Sequence, residues 1–136
     1  MKYLLDTHIF IWSMLMPGKL STNVKEILEN SPHVFVSTIA LWELSIKFGL
    51  GKLQLEKTTP EDLWSRASGL GFKPLVFSPE EALSFHHLDK LHKDAFDRML
   101  VWQAVKNNLI LISMDERMKL YSKNGLQLIW VKYEKN

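Results

Sequence analysis

Lys2-Tyr3-Leu4-Leu5-Asp6-Thr7-His8 is the stretch on which the fold turns. Tyr3, Leu4 and Leu5 are apolar without alternation, the pattern of a strand buried on both faces of a parallel sheet. Asp6 ends the run, and Thr7 can cap a helix over Ile9–Met14. Strand, acid and helix in that order read as the start of a βα unit. Open α/β sheets bind ligands outside the carboxyl ends of their strands, where Asp6 would stand.

The pattern repeats down the chain. Pro17-Gly18 ends the first helix, and Ser21 can cap a second running to about Glu29. His33–Val36 reads as the next strand, followed by a helix from Ile39 to Phe48 capped by Ser37 or Thr38. Leu53 and Leu55 alternate and suggest an extended segment. Thr59-Pro60-Glu61 is a helix start that runs to Gly69. Phe72–Phe77 is a third strand, and Ser78-Pro79-Glu80-Glu81 opens a helix to about His87. Asp89–Lys93 is polar loop, and Asp94 with Asp97 resembles a capping box for a helix to Lys106. Leu109–Ser113 is a fourth strand, Asp115–Tyr121 a short helix, and Leu126–Val131 a fifth strand after the Asn124-Gly125 turn. The tail Lys132–Asn136 is polar and expected to fray. Strands alternating with helices predict an α/β fold, a parallel sheet of four to five strands flanked by helices.

The chain has 136 residues, a length that argues for one domain over 1–136. It is 46% hydrophobic and 24% charged, enough apolar material for one core. No apolar run reaches a membrane span, Asp6 and His8 interrupt any signal-like segment, and we expect a cytoplasmic protein. The absence of cysteine excludes disulfides, zinc–thiolate sites and a Cys nucleophile, and fits a reducing compartment.

Four acids occupy the positions a metal site would use: Asp6, Glu43, Asp97 and Asp115. Asp6 and Asp115 follow predicted strands; Glu43 and Asp97 sit on predicted helices. Such a set cannot all be ionised in one cleft without a cation between them. Hard carboxylate oxygens suit a divalent cation such as Mg²⁺, which polarises a phosphoryl group and activates water, so no Ser nucleophile is required. The net charge is +2; a cation taking up these four acids leaves 11 of the 15 acids facing 17 bases. That excess suits a polyanion, although a surface merely rich in Lys gives the same count.

Each acid also has a structural reading. Asp6 could cap the first helix, and Glu43 could pair with Lys47 at i,i+4. Asp94 competes with Asp97 on spacing alone, and Glu116 could stand beside Asp115. His8 and His92 flank two of the acids; without HExxH spacing they read as polar surface or as partners of the ligands. Trp12 with Ile9, Phe10, Leu15 and the helix face of Trp42 could form an apolar surface for a partner helix.

The segments that carry these acids resemble a family. Tyr3-Leu4-Leu5-Asp6-Thr7-His8 looks like the opening of a PIN domain of the VapC toxin type. Ser37-Thr38-Ile39-Ala40-Leu41-Trp42-Glu43-Leu44-Ser45-Ile46-Lys47 is similar to its second motif, His92-Lys93-Asp94-Ala95-Phe96-Asp97-Arg98-Met99-Leu100 to its third, and Leu111-Ile112-Ser113-Met114-Asp115 to its fourth. The resemblance implies a PIN-like fold and a Mg²⁺- or Mn²⁺-dependent endoribonuclease. It also implies a homodimeric toxin held inactive by a cognate antitoxin. It implies Asp6, Glu43, Asp97 and Asp115 as catalytic acids, with Asp6, Asp97 and Asp115 on the metal. Thr7 and Ser113 match polar residues beside the first and fourth acids, and Arg98 is either a phosphate contact or a surface charge. Ala95 and Trp102 depart from the third motif without touching an acid. A haloacid-dehalogenase phosphatase would need an acid where His8 stands, and a receiver domain an Asp within residues 37–60, where there is none. A DNA nuclease and a non-cutting binding module remain as alternatives.

Overall fold

The computed structural model describes residues 1–132; of the expected tail, residues 133–136 lie outside them. Five strands, β1 (Tyr3–Leu5), β2 (Val34–Ser37), β3 (Lys73–Leu75), β4 (Ile110–Ser113) and β5 (Gln127–Trp130), form one sheet in the order β3-β2-β1-β4-β5. Every pairing is parallel. The chain moves outward from β1 through β2 to β3, then returns to the other side of β1 with β4. The strand order therefore reverses between β1 and β4, and their carboxyl ends flank the crevice that such a reversal leaves.

The expected parallel five-strand arrangement is thus present. Leu4, Leu5, Leu111 and Ile112 lie at its centre and are fully buried, each contributing roughly 1.5–3 kcal/mol by burial. β3 is shorter than the run 72–77 suggested. It carries Pro74 and pairs only with β2, the edge position where a residue without an N–H is tolerated. Leu53 and Leu55 join no strand; Leu55 is simply buried under the loop.

The helices are α1 (Thr7–Leu15), α2 (Thr22–Asn30), α3 (Thr38–Gly49), α4 (Pro60–Gly69), α5 (Pro79–Ser84) and α6 (Ala95–Asn107). Ser21, Ser37, Thr59 and Ser78 each cap one through the side-chain oxygen, and Ser78 with Glu81 completes a capping box. Two local expectations are refined. Of the two caps the sequence offered for α1, Asp6 and not Thr7 is used: its Oδ1 accepts the Ile9 N–H at 2.8 Å while Thr7 is already helical. The short helix expected over Asp115–Tyr121 is a 3-10 helix over Glu116–Asn124, with Asp115 as its cap.

A correction concerns the apolar surface proposed around Trp12. Trp12 is 4% exposed, and Ile9 and Phe10 are fully buried. A helix apolar on nearly all sides, as Ile9-Phe10-Ile11-Trp12 makes α1, is a core helix and presents no docking face. Of that set only Trp42 is exposed, at 56%, its ring edge-on to Phe96.

Candidate active site

Asp6 follows β1 directly. Its backbone N–H donates to Ile112 O of β4, so the switch point itself holds the residue, and its side chain is buried. Asp115 follows β4, with Ser113 Oγ accepting its backbone N–H at 3.0 Å. Glu43 comes from the second turn of α3 and Asp97 from the first turn of α6, two helices in contact with each other. All four line one cavity of about 330 Å³ with Thr7, His8, Lys47, Asp94, Met114, Glu116 and Arg117.

The acids are held by neighbours of two kinds. Thr7 donates its hydroxyl to Glu43 Oε1 at 2.5 Å, and Lys47 reaches Glu43 Oε2 at 2.8 Å. The i,i+4 pair and the cleft position therefore coexist in Glu43, which is 4% exposed. Asp94 caps α6, its Oδ1 accepting the N–H groups of Phe96 and Asp97. This leaves the Asp97 carboxylate free to face the cleft. Asp115 Oδ1 accepts from the Arg117 backbone N–H and Nε, and Arg117 Nη2 lies 3.2 Å from Oδ2.

His92, read from the sequence as polar surface or as a partner of the ligands, is buried against two of the acids. It is 2% exposed, its Nε2 lies 2.6 Å from Asp115 Oδ2 and 3.2 Å from Asp97 Oδ2. One atom each of His92, Asp97 and Asp115 fall within 4.8 Å of one another. Its position beside the third motif was the available signal. Arg117 was missed altogether, though it stands two residues after Asp115. Arg98 does not line the cavity. Its guanidinium sits over the Phe85 ring, 5.3 Å from the centroid. Glu116 reaches only the rim, with a side chain 72% exposed.

Charge in the cleft is strained. Burial, reinforced by Asp94, Glu43, Asp6 and Asp115, pushes Asp97 up to about 8. Burial also raises Asp6, although Ser113, the Ile9 N–H and His8 offset part of it. Asp115 goes the other way. Burial would raise it, but the hydrogen bonds from Arg117 and His92 outweigh that and hold it below the usual range. Without a cation, Asp97 holds its proton at neutral pH. A divalent ion would replace that proton, and the donor set of carboxylate oxygens is the one hard cations take.

A family model for the PIN domain matches residues 3–124. No curated protein matches the sequence. Among solved structures, the VapBC2 complex of Rickettsia felis bound to a DNA fragment from their promoter aligns with TM-score 0.68 at 20% identity, over 98% of this chain and 100% of that one. DNA-bound VapBC from Salmonella typhimurium aligns with TM-score 0.67 at 18% identity, covering 95% and 97%. FitAcB from Neisseria gonorrhoeae aligns with TM-score 0.64 at 20% identity, covering 94% and 96%.

Proposed function

The chain belongs to the PIN domain family, and on that basis we propose that it is a metal-dependent endoribonuclease, the toxin half of a VapBC-type toxin–antitoxin pair. The observation that carries this is the convergence of Asp6, Glu43, Asp97 and Asp115 from four separate elements into one cleft, with Asp97 driven to about 8 by burial, by Asp94 and by the other three acids.

In this reading Asp6, Asp97 and Asp115 hold Mg²⁺ or Mn²⁺. Such an ion supplies charge neutralisation at phosphorus and acidifies water near neutral pH. Glu43, tied at one oxygen by Thr7 and at the other by Lys47, orients water from a fixed position. Lys47 and Arg117 line the same cleft and offset the charge of a polyanion entering it. Ser113, the buried last residue of β4, hydrogen-bonds the Asp6 carboxyl and accepts the Asp115 backbone N–H, holding both acids at the strand end.

The partner reading rests on the solved relatives, several of which are complexes of VapBC type. Their antitoxin counterpart here would meet exposed apolar side chains such as Trp42 and Ile46 of α3, not Trp12. Homodimerisation and a cytoplasmic setting belong to the same proposal. Among the described residues no helix is long and apolar enough to cross a membrane.

The test is cleavage of total RNA with Mg²⁺ or Mn²⁺ by the parent, Asp6→Asn and Asp97→Asn proteins, freed of co-purified antitoxin. Discrete fragments from the parent alone are expected. Cleavage of DNA in preference to RNA, or binding without cleavage, would replace this reading with one of its alternatives.

A further inference from the structure

His92 looks at first like a fourth metal ligand, since its Nε2 shares the cluster with Asp97 and Asp115. Its other nitrogen argues otherwise. Nδ1 accepts the backbone N–H of Asp94 at 3.0 Å. An acceptor at Nδ1 is unprotonated, so the ring proton is on Nε2. Nε2 is then a donor, aimed at Asp115 Oδ2 at 2.6 Å and near Asp97 Oδ2 at 3.2 Å. To ligate a metal through Nε2, the ring would have to move its proton to Nδ1. That would set two N–H groups against each other at the start of α6.

The loop carrying His92 is built to hold it there. Tyr121, fully buried in the 3-10 helix after β4, accepts the N–H groups of Leu91 and His92 through its hydroxyl, both at 3.0 Å. The same hydroxyl donates to Asp89 O. So the 3-10 helix that Asp115 caps also fixes the histidine that binds Asp115. The ring in turn reaches across to α6. Asp115 thereby accepts a hydrogen bond from a ring that also stands 3.2 Å from Asp97.

The geometry points to His92 as a positioning residue: a buried imidazole that donates from Nε2 to Asp115 and lies 3.2 Å from Asp97, setting the separation of two carboxyl groups, and that does not bind the metal itself. This rests on the metal-binding reading above but not on which polymer is cut. Partners that orient ligands in this way typically matter 10–100-fold to metal affinity.

Two measurements test it. Nitrogen-15 NMR of the parent's imidazoles reads the tautomer, without metal and after addition of Mg²⁺. We expect the His92 proton on Nε2 in both states; loss of that proton on adding Mg²⁺ makes His92 a ligand and overturns the proposal. Mn²⁺ affinity by electron paramagnetic resonance then compares His92→Gln with His92→Leu. Both lose the acceptor for Asp94, but only the Gln amide nitrogen can donate near the Nε2 position. Gln is expected within about threefold of the parent and Leu about 10–100-fold weaker. Equal affinity of Leu and parent would remove the positioning role. A parent that binds no Mn²⁺ would instead sink the metal reading, while the metal-free spectrum would still decide whether Nε2 donates.

Discussion

Segment 3–9 delivers Asp6 to the cleft by regular structure, whereas segment 88–97 delivers Asp97 by side-chain ties. In the first, β1 pairs with strands on both sides, the Asp6 N–H joins β4, and the Asp6 carboxylate caps α1. Ladder and helix hydrogen bonds place the acid, and any sequence that makes the strand and the helix makes the placement. In the second, an irregular loop hangs on the Tyr121 hydroxyl and the His92 ring before Asp94 starts α6. That placement depends on a residue some thirty positions further on. The lesson is that two acids of one site can differ in how robustly they are held, and substitutions should separate them.

The largest effect is expected at the acids themselves. Asp6→Asn should drop cleavage to background while melting no lower than the parent in metal-free buffer. Asn still caps α1, and a buried carboxyl is removed. Calorimetry alongside the cleavage assay checks both halves; a large loss of melting temperature would mark Asp6 as structural. Next is Tyr121→Phe, which strands the N–H groups of Leu91 and His92 and should cost about 2–3 kcal/mol in urea unfolding. Amide exchange should rise in segment 88–97 and stay unchanged in β1, which is the comparison in its sharpest form.

A graded effect comes from pH. Asp97 titrates at about 8 in the fold against 3.8 as an isolated group. Between those values the native state keeps a proton the unfolded chain has lost. Metal-free stability should therefore fall as pH rises from about 4 to 8, and Asp97→Asn should flatten that slope in thermal melts. Saturating Mg²⁺ should oppose it, because ion and proton compete for the same oxygens. The smallest effect is expected for Lys47→Met, about 0.5 kcal/mol in the same assay, since the Lys47 end of this i,i+4 pair is more than a third exposed and Glu43 keeps its bond from Thr7. A loss several times greater would mean that buried Glu43 depends on Lys47 for neutralisation.

The alternation of strands with capped helices was readable because it is local. Ser21, Thr59 and Ser78 announce their helices within a few residues, and the apolar runs 3–5 and 109–112 announce buried parallel strands. The acids at strand ends followed from the same reading, and family resemblance decided between Asp94 and Asp97 where spacing could not. The sequence also misled where side-chain destination is not a local property. Trp12 looked like a docking residue and lies in the core; Arg98 adjoins Asp97 in sequence, yet its guanidinium lies over Phe85 outside the cleft.

By itself, then, the sequence determined the α/β class and the element order, because period, capping and turn chemistry act over one or two turns of chain, while the candidate acids needed the family resemblance as well. Only the tertiary structure decided that β1 and β4 are neighbours, and that Thr7 reaches Glu43. It alone brought His92, steadied by Tyr121, between Asp97 and Asp115. Those are contacts between residues distant in sequence, and their geometry exists only once the sheet has closed around its core.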